Sequence, residues 1–403
     1  MREGRVVTEP RLHPRAATPA HERYRERLAA LADQELVSLA AASVLERGGG
    51  ERLVQRYARF RPDHEPYSTL VLETEPAGEI VCMDAFESRP AALDGAVAMA
   101  AGVAGWLLVR PLGFDPGLPT LPEVLAGPGR RTVVRYRPAS RCTVRVEDEG
   151  EVRFARVVAS GGKRLQRKSV RVWRAWQDGR LDFFVPRPLG YDPRSRAVWQ
   201  GELAGEDIRS ELYGDDGPAL ARRVGRAAAS IPSSRLAPDS VFDEGARFIE
   251  STRLCQEVRR TLPPLAPMLD ELLGKLWTVH VTAPARALRP IHGDLYPPQW
   301  LRSEQGLGLV DFERLALGHP ELDAATFVAG IDGDRGRPEV SEAFVAGYED
   351  VAEPLDRQWL AAYRAHVRLR KVVKAVRAIR PDGDQRAERH LRDILDQLEG
   401  EIL

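Results

Sequence analysis

The sequence predicts an α+β protein: a small antiparallel β-rich lobe, a larger helical lobe behind it, and an α/β extension in front. Two observations carry this. Apolar and polar residues alternate with period two over 53–86 and again over 135–158, which is the pattern of half-buried strands. Residues 207–280, apart from turn clusters at 212–217 and 231–239, and residues 339–400 read as mostly helical. Strands followed by helices, rather than strands alternating with helices, is the α+β order.

Taken in order, residues 1–20 are rich in Pro and Arg, and the expectation is a disordered tail. Leu28, Leu31, Leu36, Leu39 and Val44 predict one helix over 21–47, stopped by Gly48–Gly50. Strands follow, turning at Pro76–Gly78. Ala91–Val109 is the most apolar run; Asp94 and its glycines argue for a buried helix running into a strand rather than a membrane span. Residues 111–125 are turn-rich and read as a connector, closing an extension over 21–125. The second β-unit, 135–158, resembles the first: each has Arg-aromatic-Arg-Pro, then Thr, then a run ending in Glu, and a duplication is one reading of that. Gly162–Gln177 predicts a basic helix, Phe183–Val185 and Ala197–Trp199 short strands, and Gly201–Gly205 a hinge loop. This makes 126–201 the β-rich lobe and 202–403 the helical lobe, with breaks at Pro354 and Pro381–Gly383.

Composition narrows the partners. In 403 residues Lys+Arg and Asp+Glu both number 59, so net charge gives no reason to invoke nucleic acid or an anionic membrane. The basic run Arg364–Arg380 has Val367, Val372, Val373, Val376 and Ile379 on one stripe. It reads as a packed helix with a charged outer face, the alternative being a wall for an anionic group. Cys82, Cys142 and Cys255 have neither metal-ligand nor disulfide spacing, and the N-terminus lacks an apolar signal region, so the expected location is cytoplasmic.

The chemistry concentrates in 289–327, RPIHGDLYPPQWLRSEQGLGLVDFERLALGHPELDAATF. Asp294 opens a loop of turn formers, and Asp311 ends a strand built on Leu307, Leu309 and Val310. Phosphoryl transfer needs such a pair: one carboxylate to orient and deprotonate a hydroxyl, and oxygen ligands for a Mg²⁺ that neutralises the nucleotide phosphates. On that reading Asp294 is the base, Asp311 the main metal ligand, Gln299 a second ligand through its amide oxygen, and His292 a brace. Glu313 is balanced between a metal contact and a solvated side chain. Asp323 reads as a structural brace or helix cap.

HGDLYPPQ, then VDFE, then LGHPELDAATF resembles the catalytic and metal-binding loops of the aminoglycoside phosphotransferase/choline kinase-like superfamily. The steps of five residues from Asp294 to Gln299 and 17 to Asp311 fit its pattern. Gln299 replaces the usual Asn and resembles the maltokinase-like branch. The resemblance implies a bilobal protein-kinase-like fold and an ATP- and Mg²⁺-dependent kinase. Its acceptor would be a small-molecule hydroxyl on a sugar, glycoside or aminoglycoside-like compound. It places nucleotide contacts at Arg137 and Ser140 in the covering turn, at Arg156 on the third strand, and at Glu202 and Leu203 in the hinge.

Arg156 departs from the lysine expected there, and the helix after it, 163–177, holds no acidic residue to pair with it. Two readings stay open: a kinase with an altered phosphate clamp, and a catalytically weak nucleotide-binding pseudokinase with a regulatory role.

Overall fold

The computed structural model describes residues 20–45, 52–60, 64–331, 336–380 and 382–402. The expected disordered tail and the glycine stop at 48–50 lie outside them.

Two five-stranded antiparallel sheets follow one another. The first holds β1 (Arg52–Phe60), β2 (Ser68–Glu75), β3 (Ile80–Phe86), β4 (Val97–Ala100) and β5 (Trp106–Pro111), in the order β1-β2-β3-β5-β4. It is preceded by α1 (Ala20–Leu31) and α2 (Gln34–Ala42). The single helix expected over 21–47 breaks because the Asp33 carboxylate caps α2, accepting from the amides of Glu35 and Leu36. The helix expected within 91–109 does not form. Gly102 and Gly105 there take φ of +54° and +75°, and a Cβ on Gly105 would stand 2.4 Å from the Phe86 carbonyl oxygen, so the chain folds back as the β4–β5 hairpin instead.

After α3 (Leu121–Ala126) come β6 (Arg130–Arg137), β7 (Arg141–Asp148), β8 (Glu151–Val158), α4 (Gly162–Gln177), β9 (Pro188–Asp192) and β10 (Ala197–Gly201). Their order, β6-β7-β8-β10-β9, repeats that of the first sheet. Phe183–Val185, expected as a strand, contributes only one bridge, Phe184 to Gly308.

The first sheet is buried on both faces. Leu70, Leu72, Val81 and Met83 pack with Leu31, Val37 and Ala40 of the leading helices and with Ile379. On its other face, Val71 and Cys82 join Tyr136, Val144, Ala155 and Val157 of the second sheet. A strand with both faces covered reads as an apolar run rather than a clean alternation.

The C-terminal half is mostly helical. It contains β11 (Glu206–Asp207), α5 (Arg209–Leu212), α6 (Gly217–Ala228), α7 (Ser230–Ser233), β12 (Val241–Phe242), α8 (Glu244–Thr261) and α9 (Ala266–Thr282). Next come β13 (Arg289–Ile291), β14 (Trp300–Ser303), β15 (Gly306–Leu309) and β16 (Ala316–Gly318), then α10 (Pro320–Ile331), α11 (Pro338–Glu349), α12 (Arg357–Arg377) and α13 (Gly383–Ile402). One apolar core runs from Val172 and Phe183 through Leu269, Trp300, Phe327 and Tyr363 to Leu398. It carries two small three-stranded sheets, β11-β14-β15 and β12-β16-β13. Among the described residues no helix is long and apolar enough to cross a membrane.

Candidate active site

The loop from β13 to β14 carries His292, Gly293, Asp294 and Gln299. It is held from beneath by one buried carboxylate. Asp323, near the start of α10, accepts from the His292 amide at 2.6 Å and the Gly293 amide at 2.8 Å. Burial pushes the Asp323 carboxyl up, against His292 and these amides. Gly293 is required on two counts: its φ is +79°, and a Cβ would lie 2.4 Å from the Arg314 carbonyl oxygen. His292 is fully buried; its Nε2 donates to the Val310 carbonyl at 3.0 Å, tying this loop to the next.

That next loop runs from β15 to β16 and carries Asp311 and Glu313. Asp311 sits at φ +67°, ψ +50°, a left-handed conformation that Asp tolerates better than most residues. Burial pushes its carboxyl up, but Arg156, with His292 and Arg141, outweighs this and holds it below the ordinary value. The Arg156 guanidinium lies 2.9 Å from Asp311 and 3.4 Å from Glu313. Arg141, at the start of β7, also pairs with Glu313. The acidic partner that α4 lacks is therefore supplied by the loop after β15.

Helix α4 contributes differently. Lys168 is 4% exposed, and its ammonium donates to the carbonyls of Glu313 at 2.8 Å and Leu315 at 2.9 Å. A cation on this helix thus closes the β-rich lobe onto the loop, where the sequence suggests only an unpartnered basic helix. Between the lobes lies a cleft lined by Arg156, Leu165, Val185, Val198, Gln200 and Asp311. Leu165, Val185 and Val198 make part of its lining apolar, and Arg156 and Asp311 bring charge to it.

The remaining expected contacts lie on the β6–β7 turn and on the passage after β10. Arg137 ends β6, and Ser140 lies in the β6–β7 turn, where its amide donates to the Arg137 carbonyl at 3.1 Å. The turn is braced from the extension by a residue the sequence does not single out. Asp115 is buried, accepting from the Ala139 amide at 2.8 Å and the Tyr136 hydroxyl at 2.7 Å. Gly117 permits this approach, since a Cβ there would sit 2.4 Å from the Ala139 Cα. Glu202 and Leu203 follow β10 in the passage between lobes; the Glu202 amide donates to the Val152 carbonyl, and Leu203 packs over Gly308.

Asp294, Gln299 and Asp311, the expected metal ligands, would offer oxygen donors only, two carboxylates and an amide. Among the described residues no group of three His, Cys, Asp or Glu is gathered for a metal. Gln299 Nε2 lies 3.3 Å from Asp294, and its buried Oε1 has no hydrogen-bond partner. A buried amide oxygen with nothing to accept from fits a hard cation such as Mg²⁺.

The sequence model for a group described as a phosphotransferase enzyme family matches residues 124–363, more than half of the chain. Solved structures similar to it include the choline kinase LicA from Streptococcus pneumoniae, 14% identical over 68% of this chain and 96% of that one, with a TM-score of 0.51. A spectinomycin phosphotransferase solved with ADP and spectinomycin is 10% identical over 70% and 98%, with a TM-score of 0.52. A choline/ethanolamine kinase family protein from Mesorhizobium loti is 16% identical over 71% and 98%, with a TM-score of 0.50. At these identities the likeness concerns the bilobal fold. No curated protein matches the chain.

Proposed function

The chain belongs to the phosphotransferase enzyme family, and from that premise we propose that it transfers the γ-phosphate of ATP to a hydroxyl of a small molecule of the sugar class. The observation that carries this is the pair of anchored loops. Asp294 and Asp311 stand on separate loops cross-tied through His292, and Asp311 lines the inter-lobe cleft.

In the proposed reaction the acceptor oxygen bonds to the γ-phosphorus, and the bond from that phosphorus to the β–γ bridging oxygen breaks. The hydroxyl proton passes to the Asp294 carboxylate, and ADP leaves. Arg156 and Arg141, held by Glu313, offer guanidinium donors to the phosphates, and Arg137 and Ser140 cover them. Asp311 and the Gln299 amide oxygen would hold magnesium, which supplies neutralisation of charge on the transferring group. Glu202 and Leu203, just after β10, would meet the nucleotide base.

A pseudokinase reading has one observation in its favour: Arg156 already pairs with the carboxylate expected to ligate the metal. Melting curves with MgATP and hydrolysis assays on wild type and Asp294→Ala separate the two. The expected result is a magnesium-dependent rise in melting temperature and a loss of turnover of roughly 10²–10⁴-fold in the variant, the range for a general base. Nucleotide binding with turnover untouched by Asp294→Ala would exclude the kinase.

A further inference from the structure

Arginines crowd around Asp294 and Glu250. Arg370 of α12 stands 3.8 Å from the Asp294 carboxylate and 2.9 Å from Glu250 of α8. Arg247 of α8 pairs with the other oxygen of Glu250 at 2.7 Å. Arg314, two residues before β16, lies over the Phe242 ring at 5.3 Å, and its charge is felt at Glu250 and Tyr296. Burial would push the Glu250 carboxyl up, but these three guanidiniums together hold it below the ordinary value.

The three cations face two carboxylates, and one of the two, Asp294, takes up the acceptor's proton in the proposed reaction. Donor capacity is also left over. Arg247 is 5% exposed, yet its Nε and Nη2 have no hydrogen-bond partner. Arg314 makes no ion pair among the described residues. Burial and the nearby Arg370 charge push the Arg247 guanidinium down to about 10, the response of cations crowded together. A buried guanidinium keeps unmade hydrogen bonds at a cost, unless an anion completes them.

We propose that the acceptor carries an oxyanion, a carboxylate or a phosphate, beside the hydroxyl that is phosphorylated, and that Arg247, Arg314 and Arg370 recognise it. The inference rests on the transfer reading above and narrows its acceptor to an acidic sugar or hydroxy acid. A planar guanidinium engages either oxyanion through two parallel hydrogen bonds. The same cluster repels an ammonium, so amino sugars and quaternary amino alcohols are disfavoured.

The test uses four sugars on one scaffold: glucose, glucosamine, glucuronate and glucose 6-phosphate. Transfer from MgATP and the melting temperature are measured with the full chain. One of the two acids should exceed glucose in kcat/KM by at least tenfold, with glucosamine below glucose. Which acid leads distinguishes carboxylate from phosphate. In Arg314→Gln the KM for that acid should rise at least tenfold while the KM for glucose moves less than twofold. Arg247→Gln should act the same way, and Arg314→Gln stands alone if removing the buried Arg247 prevents folding. The proposal is overturned if glucose or glucosamine serves as well as both acids, or if neither acid raises transfer or melting temperature above glucose. In that event Asp294-dependent hydrolysis of MgATP would leave the transfer reading standing, and its absence would remove both.

Discussion

The sheets β1–β5 and β6–β10 share one strand order, yet among the described residues it is the second whose side chains pair with Asp311 and Glu313. Matching positions show where they part. Thr69 on β2 lies opposite Asp84 on β3, and Thr143 on β7 lies opposite Arg156 on β8. The two threonines open the sequence runs that look alike. At the equivalent site across the strand pair, one sheet has an acid and the other a base. Asp84 is satisfied inside its own sheet, by the Thr69 hydroxyl at 2.6 Å and by buried Arg110 on β5. Arg156 has no such partner in its sheet and reaches across the cleft to Asp311 and Glu313. The second sheet also has α4 between its third and fourth strands; in the first, residues 87–96 hold no helix. A sheet whose charges are closed internally is a scaffold, and one whose charge is left over can serve a ligand.

Four substitutions would break or sharpen this comparison. Asp84→Ala should have the largest effect on stability, because it strands a guanidinium that is 3% exposed. Breaking a buried pair from one side costs about 3–5 kcal/mol, to be read by urea unfolding. Asp84 should leave nucleotide KM nearly unchanged once the protein is folded; a tenfold rise in KM would end the scaffold assignment.

Arg156→Gln should do the reverse, with a modest loss of stability and a rise of tenfold or more in the KM for MgATP. It should also move the pH profile. Arg156 holds the Asp311 carboxyl below its ordinary value against burial. Without that charge burial prevails, so protonation of Asp311 begins at higher pH and the acid limb of kcat/KM should shift upward. The wild-type benefit is present above the unfolded carboxyl value and is lost as pH falls through the lower folded one. An unmoved acid limb would separate Arg156 from Asp311.

Asp115→Ala should fall between the two sheets in effect. It removes the acceptor for the Tyr136 hydroxyl and the Ala139 amide, costing about 1–3 kcal/mol for buried groups left unpaired. It should raise nucleotide KM a few-fold by freeing the covering turn; stability loss with unchanged KM would make the contact purely structural. Arg156→Lys should be the mildest, since it keeps the charge and loses only one fork of the guanidinium. A KM within about threefold of wild type is expected, and a loss as large as that of Arg156→Gln would mean that geometry rather than charge is recognised.

The loops around Asp294 and Asp311 are legible because a turn glycine, two carboxylates and an amide fall within one continuous stretch. The helix Gly162–Gln177 and the strand carrying Arg156 were legible for the same reason, from period alone. The 91–109 run was misread, since apolar content does not tell a buried helix from a buried hairpin when glycines supply the turns. Lys168 lies on a helix that the sequence marks only as basic. Only its position opposite two carbonyls gives it a purpose.

By itself, then, the sequence determined the α+β order, the two carboxylate loops and the absence of an acidic partner on α4, because each is a property of neighbours along the chain. Tertiary structure decided what fills that absence. Arg156 meets Asp311 and Glu313 from 155 and 157 residues away, Asp115 reaches Ala139 from the extension, and Arg370 comes beside Asp294 from α12. Electrostatic pairing depends on distance in space and on burial. Neither can be read from spacing along the chain once helices and sheets have brought remote segments together.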